Sequence, residues 1–375
     1  MSGTITPITM PKFGLAMTEG KLAGWLAQPG QAVSQGQELA EIETTKITNV
    51  YESPAAGTLR RQLAPAGETL PVGALIGVLA EESVPETDID SFIASFQDSA
   101  AETQAGEDSS EAEPHLVEVG SRSLRVQDTG AAGKEGDPLL FIHGFGGDLT
   151  NWMMNQGALA DKTRVIAFDL PGHGESSKDV GDGSPATLAA ITRELLDTLG
   201  VGRVHVAAHS LGAAIALELT KAVPDRIASL TRVAPAGLGG PVSMAFIDGF
   251  ITADRRKTLE PVLQMLVHDK GLISRQMVEG IIRFKRLDGA VAGLTTIARA
   301  SFDHGAQKDN LRSVLEGFTG PAHVIWGEDD EILSPKDAQN LPAHIGVTLL
   351  PQTGHMPQME KSADVNARLA EAVGQ

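Results

Sequence analysis

The chain has 375 residues, with 48 acidic against 30 basic side chains, a net charge of −18 and no cysteine. This length suits two domains, and the missing thiol excludes disulfides, thiolate metal sites and a cysteine nucleophile. The acidic balance argues against binding to nucleic acid, and no apolar run approaches the roughly 20 residues that span a membrane. Since the N-terminus also lacks the basic and apolar regions of a secretory signal, we expect a cytoplasmic protein.

Residues 1–80 contain short alternating strands separated by turn signals such as Gln28-Pro29-Gly30 and Pro65-Ala66-Gly67. This pattern predicts a small all-β sandwich or flattened barrel. Between the two halves lies the sequence ETTKI, and a hairpin here would place Lys46 at its tip. A lysine at such a position can carry a covalent group, and an unmodified, solvated lysine is the alternative.

The segment resembles the lipoyl domains of 2-oxo-acid dehydrogenase acyltransferases over essentially its whole length. The resemblance rests on MPKFGLAMTEGKLAGWLAQPGQAVSQGQELAEIETTKITNVYESPAAGTL and LPVGALIGVLA. It implies that lipoyl is attached to Lys46 through an amide. The related biotinyl domains usually have Met on both sides of this lysine, and Thr45 and Ile47 therefore favour lipoyl over biotin.

Residues 81–114 form an acidic segment with eleven carboxylates and no Lys or Arg, which accounts for −11 of the net charge of −18. We expect a linker that is extended over 98–113, because that part has no large apolar side chain. A short amphipathic helix is predicted near 88–97 from the helical spacing of Ile89, Phe92, Ile93 and Phe96. Two alternatives stay open for this helix, packing on its own protein or docking to a partner subunit.

Residues 115–375 alternate strands with helices, which predicts a parallel α/β sheet. The sequence Ala208-His209-Ser210-Leu211-Gly212 lies directly between a strand and a helix. Small residues on both sides of the serine permit a tight turn that exposes the hydroxyl above the sheet. Ser210 is therefore the candidate nucleophile.

A serine needs a base and a group that orients the base. His355 follows the strand GVTLLP and Asp330 follows the strand AHVIWG, so both project from carboxyl ends of parallel strands. Asp329 is the alternative acid, which we interpret as a flanking surface residue. The backbone N–H groups of Phe145 and Leu211 are the expected oxyanion donors. No spacing of His, Asp or Glu suggests a metal site.

This part resembles the α/β-hydrolase family through FIHGFGGDLTNW, VIAFDLPGHGESS, AAHSLGAAIAL, VIWGEDDEILSP and QTGHMPQME, in that order. The order Ser210, Asp330, His355 is the one that this family uses. The resemblance implies an α/β-hydrolase fold, with a helical cap at about 241–302. The expected architecture is thus an N-terminal all-β lipoyl domain followed by a capped α/β-hydrolase domain.

The combination of the two domains resembles the acyltransferase component of acetoin dehydrogenase complexes. The resemblance implies acetyl transfer from lipoyl-Lys46 to coenzyme A, with Ser210 as the nucleophile. It also implies two kinds of partner, thiamine-diphosphate-dependent acetoin dehydrogenase subunits and dihydrolipoyl dehydrogenase. Two alternatives are a serine hydrolase with a lipoyl arm and a non-catalytic scaffold that presents the arm. A homo-oligomer is compatible with the sequence, which leaves the oligomeric state open.

Overall fold

The chain divides into two units, Met1–Ser109 and Ser110–Gln375. The computed structural model describes residues 5–11, 19–43, 48–81, 83–105, 113–130, 134 and 136–374. Within these residues, no helix has both the length and the apolar composition that crossing a bilayer would require.

The first unit contains two four-stranded antiparallel sheets and one helix. Its elements are β1 (Ile5–Thr9), β2 (Glu19–Trp25), β3 (Ala32–Val33), β4 (Glu38–Glu43), β5 (Thr48–Glu52), β6 (Gly57–Gln62), β7 (Thr69–Pro71), β8 (Leu75–Ala80) and α1 (Glu86–Ala105). The strand orders are β1-β8-β6-β3 and β5-β4-β2-β7. Side chains from both sheets, among them Ile8, Leu22 and Leu59, meet in one buried core. The all-β prediction for this part of the chain is confirmed.

The helix α1 is longer than the sequence predicts and packs on the first unit. Ile89 is buried in a small apolar cluster with Val78 and Val84 on the sheet side, and the side chains of Phe92 and Ile93 pack against this cluster. Arg60 and Arg61 of β6 also bind the Glu86 carboxylate at the start of the helix through their guanidinium groups. Of the two alternatives for this helix, the structure therefore shows packing on its own protein.

The extended conformation that we expected from residue 98 onwards is wrong as far as Ala105, because the helix continues to that residue. The sequence DSAAETQA has no large apolar side chain, but Ala, Glu and Gln have high helix propensity. Once Ile89, Phe92 and Ile93 have anchored the first turns, each further residue adds a hydrogen bond without a new nucleation step. Residues 106–112 of the acidic segment lie outside the described residues.

The second unit is built on one eight-stranded sheet with the order β18-β17-β14-β13-β11-β12-β10-β9. Its strands are β9 (His115–Val119), β10 (Arg122–Asp128), β11 (Leu139–Ile142), β12 (Val165–Phe168), β13 (Val204–His209), β14 (Ile227–Val233), β17 (Ala322–Gly327) and β18 (Ile345–Leu350), and a separate hairpin consists of β15 (Phe302–Asp303) and β16 (Ala306–Gln307). Neighbouring strands from β12 to β18 along this order are parallel, and β10 pairs antiparallel with both β12 and β9. The predicted parallel α/β sheet is confirmed.

Helices cover both faces of this sheet, and apolar clusters fill the space between the helices and the strands. The helices are α2 (Met153–Ala160), α3 (Pro185–Thr198), α4 (Leu211–Ala222), α5 (Met244–Thr252), α6 (Arg256–Gln264), α7 (Arg275–Lys285), α8 (Ala290–Ser301), α9 (Arg312–Gly317), α10 (Pro357–Glu360) and α11 (Ser362–Val373). Four consecutive helices, α5 to α8, lie between β14 and β15 and occupy the segment that we predicted as a cap. The Lys285 ammonium donates to the Phe250 and Ala253 carbonyls at the end of α5, which ties α7 to α5.

Candidate active site

Ser210 lies in the sharp turn between strand β13 and helix α4. Its backbone has φ of 51°, in the left-handed region that a non-glycine residue adopts only under local strain. Gly212 makes the turn possible, because a Cβ atom at this position would lie 2.5 Å from the His143 carbonyl oxygen and 2.6 Å from that of Ile142. The helix therefore begins directly against strand β11, and the serine is held at the carboxyl end of the sheet.

The structure brings Ser210, His355 and Asp330 together in one hydrogen-bonded chain. His355 Nε2 lies 2.9 Å from Ser210 Oγ, and His355 Nδ1 lies 2.7 Å from Asp330 Oδ2. The side chains of His355 and Asp330 are 2% and 0% exposed. Since a carboxylate only accepts, the His355 proton lies on Nδ1, and Nε2 is left free to take the serine proton.

Three further donors hold the Asp330 carboxylate in place. The backbone N–H groups of Ile332 and Leu333 donate to Oδ1 at 2.7 and 3.0 Å, and the Trp326 indole N–H donates to Oδ2 at 2.8 Å. Hydrogen bonds of this kind restrict the rotation of the carboxylate and fix the oxygen that faces His355. The sequence does not indicate a role for Trp326, because a strand tryptophan four residues before an aspartate is not a recognisable pattern for this contact.

Asp329 points away from this chain of hydrogen bonds. Its carboxylate lies 2.8 Å from His268 Nδ1, and the two side chains are 49% and 43% exposed. The structure thus places Asp329 beside His268 and the neighbouring carboxylate, Asp330, against His355.

The expected oxyanion donors lie on two backbone segments next to Ser210. Among the described residues, neither the Phe145 N–H nor the Leu211 N–H has an acceptor, and Phe145, like Ser210, lines the cavity described below. Gly146, the residue after Phe145, is held in place by His173, because its N–H donates to His173 Nε2 at 3.0 Å. A Cβ atom on Gly146 would overlap the Phe250 ring, so this side chain of the cap packs directly against the same backbone segment.

His173 can accept this bond because it stays neutral. Its Nδ1 donates to the Pro171 carbonyl at 3.1 Å, which leaves the lone pair on Nε2. Burial, with a smaller contribution from His143, lowers the pKa of His173 well below its usual value. The contact between His173 and the oxyanion segment joins residues that are 27 positions apart in the chain, and the sequence motifs do not indicate it.

His209 connects the nucleophile turn to the loop of the base. Its Nε2 lies 2.7 Å from the carbonyl oxygen of His355, so Nε2 carries the proton and donates. Burial and the neighbouring His355 lower the pKa of His209 well below its usual value, which keeps the ring neutral. The His355 N–H in turn donates to the Leu266 carbonyl at 2.8 Å, so the cap also holds this loop.

A cavity of about 60 Å³ opens beside Ser210, between the sheet and the cap. The cap and the loop after His355 supply apolar side chains, among them Phe246, Phe250, Leu266, Met277, Met356 and Met359. None of the residues that line the cavity is an Asp, Glu, Lys or Arg. No group of three or more His, Asp or Glu side chains in the described part of the chain is arranged to hold a metal ion.

Lys46, the predicted attachment residue, lies outside the described residues together with 44, 45 and 47. The strands on both sides are described, and β4 and β5 remain paired up to Glu43 and Thr48. Four residues therefore connect two antiparallel strands here, and Lys46 is one of the four. This position between paired strands suits a lysine that carries a covalent group.

The two units match two family models and full-length relatives. A model of the alpha/beta hydrolase fold matches residues 137–362, and a biotin and lipoyl model, described as biotin-requiring enzyme, matches residues 6–79. The chain is 42% identical to the dihydrolipoyllysine-residue acetyltransferase component of the acetoin cleaving system from Pseudomonas putida, over 97% of this chain and 97% of the relative. The chain belongs to this acetyltransferase family.

A further relative of the same description, from Cupriavidus necator, is 39% identical over 100% of this chain and 99% of its own. A solved meta-cleavage product hydrolase from Pseudomonas fluorescens covers 69% of this chain and 96% of its own, with a TM-score of 0.62 at 17% identity. This likeness shows that the second unit has the α/β-hydrolase fold. The predicted family and both predicted domain types are confirmed.

Proposed function

We propose that this chain transfers an acetyl group from a lipoyl thioester to coenzyme A, with Ser210 as the nucleophile. The observation that carries the proposal is the ordered chain Ser210–His355–Asp330, in a protein whose full-length relatives are named as acetyltransferases. The lipoyl group, linked through an amide to Lys46, supplies the thioester that donates the acetyl group. The residues of the second unit supply the rest of the chemistry.

In the first half-reaction, Ser210 Oγ attacks the thioester carbonyl while His355 Nε2 takes the hydroxyl proton. Asp330 keeps the proton of neutral His355 on Nδ1 and stabilises the imidazolium that forms. The N–H groups of Phe145 and Leu211, which have no other acceptor among the described residues, donate to the developing oxyanion. His355 then gives its proton to the leaving thiolate, which leaves an acetyl ester on Ser210.

In the second half-reaction, the coenzyme A thiol gives its proton to His355 Nε2 and its sulfur attacks the ester carbonyl. The new S–C bond forms as the bond between the acetyl carbon and Ser210 Oγ breaks, and the proton moves from His355 to Ser210 Oγ. The enzyme is thereby returned to its starting state, with acetyl-CoA as the product.

We expect the chain to work with two other enzymes of an acetoin cleaving system. Thiamine-diphosphate-dependent acetoin dehydrogenase subunits would cleave the substrate and load the lipoyl arm. A dihydrolipoyl dehydrogenase would reoxidise the arm after the acetyl group has left. The membership of both full-length relatives in an acetoin cleaving system supports this assignment.

The test is to supply the acetylated donor and coenzyme A to the wild-type chain and to Ser210→Ala, and to measure acetyl-CoA and free acetate separately. We expect acetyl-CoA as the main product of the wild type and almost none from the variant. Acetate as the main product of the wild type would show a hydrolase. Undiminished acetyl-CoA from Ser210→Ala would rule out the serine route.

A further inference from the structure

The backbone around His355 makes three hydrogen bonds to other segments of the chain. The His355 N–H donates to the Leu266 carbonyl of the cap, and the His355 carbonyl accepts from His209 in the nucleophile turn. The third bond starts one residue earlier, where the Gly354 N–H donates to Glu360 Oε1 at 2.7 Å. Glu360 is the last residue of the short helix α10, which begins two residues after His355.

The second carboxylate oxygen of Glu360 binds the cap. The His268 N–H donates to Glu360 Oε2 at 2.7 Å, and His268 lies in the connection between α6 and α7. One side chain thus joins the cap to the residue before the base. Since each oxygen has its own backbone donor, the carboxylate cannot turn toward one segment without losing its bond to the other. Hydrogen bonds from N–H groups to a carboxylate are also stronger than those to a neutral acceptor.

The cap segment 266–268 also packs directly on Gly354. A Cβ atom on Gly354 would lie 2.9 Å from the Leu266 carbonyl oxygen, from the Val267 carbonyl carbon and from the His268 nitrogen. The two backbone segments are therefore in contact, with no side chain between them. Gly354 is buried, so its N–H depends on Glu360 for an acceptor. A change at Glu360 should consequently alter the position of the loop that carries His355.

We propose that Glu360 is a positioning residue, which holds His355 within reach of Ser210 by joining the cap to the loop of the base. The inference rests on the proposed function, in which His355 takes the Ser210 proton. The distances of 2.9 Å to Ser210 Oγ and 2.7 Å to Asp330 Oδ2 depend on where the backbone holds the ring. A displacement of 1 Å can cost about 100-fold in rate. Glu360 takes no proton itself and acts through the Gly354 backbone.

The test removes the two acceptors of Glu360 in steps. Glu360→Leu removes both, whereas Glu360→Gln keeps one amide oxygen, which can serve only one of the two segments. The matched control is Glu331→Leu, because the Glu331 carboxylate is 52% exposed and links the cap to the loop of Asp330 through a surface ion pair with Lys270. With the full-length chain and an acetyl thioester, single-turnover acylation of Ser210 is measured by intact mass. We expect acylation to slow by about 100-fold in Glu360→Leu and about tenfold in Glu360→Gln, and by less than about twofold in Glu331→Leu.

A second measurement reports on the base itself. The hydrogen bond to Asp330 shifts the proton NMR signal of His355 Nδ1–H far downfield, and loss of this signal in Asp330→Asn assigns it. A ring that is no longer held exchanges this proton faster with water. We therefore expect the signal to broaden or disappear in Glu360→Leu, at a temperature well below unfolding, and to persist in Glu331→Leu. General destabilisation of the fold would not change the signal of the folded chain.

Acylation at the wild-type rate in Glu360→Leu would overturn the inference, and so would a slow Glu360→Leu variant with an unchanged His355 signal. If Glu360→Leu fails to fold, Glu360→Gln decides, and a wild-type rate in that variant would overturn the inference. The proposed function stands in each of these cases. A wild-type chain that forms no acetyl ester on Ser210 would instead defeat the proposed function itself.

Discussion

The orientation of His355 depends on Asp330 being a carboxylate, and the substitution Asp330→Asn tests this directly. In Asn, the remaining carbonyl oxygen would stay with the two backbone donors, the N–H groups of Ile332 and Leu333. The amide nitrogen would then face the Trp326 N–H and His355 Nδ1–H, which are donors as well. Three donors without an acceptor are unfavourable, and His355 can relieve this only by moving its proton to Nε2.

A proton on Nε2 prevents His355 from accepting the Ser210 proton. We therefore expect formation of the acyl-enzyme to slow by about 10³–10⁴-fold, the order of loss known for the equivalent change in serine proteases. The assay is a single-turnover reaction with an acetyl thioester, in which the acetylated chain is measured by intact mass. Thermal unfolding of the variant shows whether the fold is retained.

The matched control is Asp329→Asn, at the neighbouring residue. Its carboxylate is about half exposed and pairs with His268 rather than with His355. A surface pair contributes at most about 1 kcal/mol, so this variant should lose less than about fivefold in rate. Slower acylation in Asp329→Asn than in Asp330→Asn would contradict the assigned role of Asp330, and so would acylation of Asp330→Asn at the wild-type rate.

Three other changes probe separate parts of the molecule. Gly212→Ala should lower the free energy of unfolding by about 3 kcal/mol in urea titrations, because its methyl group would press on the backbone of β11. The control is Gly202→Ala, where nothing lies within 4 Å, and it should change the free energy of unfolding by less than about 0.5 kcal/mol. Equal losses in the two variants would contradict the role of packing at Gly212. Because burial lowers the pKa of His209, the unfolded chain binds a proton below about pH 6.5 that the folded chain does not. The free energy of unfolding should thus fall as the pH drops from 7 to 5.5, by up to about 1.4 kcal/mol per pH unit for each such histidine. His209→Gln should make this dependence of the free energy on pH less steep. An unchanged pH dependence would show that His209 is not the group responsible. Lys46→Arg should abolish the lipoyl mass increment and acetyl transfer while leaving hydrolysis of a small acetyl ester intact. The control Lys21→Arg should keep the mass increment, the transfer and the hydrolysis. A lipoyl mass increment that is retained without Lys46 would place the attachment elsewhere.

The sequence by itself determined the order of the domains and most of the residues at the candidate site. Ser210 could be found because the nucleophile turn is a local feature, with small residues on both sides and a strand and a helix as neighbours. His355 and Asp330 could be found because each follows a parallel strand, and such strands end at one edge of the sheet. Spacing alone does not distinguish the adjacent Asp329 and Asp330.

Only the tertiary structure decided which of these two carboxylates faces His355, because the turn after β17 sends consecutive side chains in opposite directions. The contacts of His173 and His209 likewise depend on segments far apart in the chain, whereas Trp326 and Asp330 are only four residues apart and meet through the turn after β17. The helix that continues to Ala105 was missed because local composition favoured an extended linker, whereas packing of its first turns on the sheet nucleates the helix.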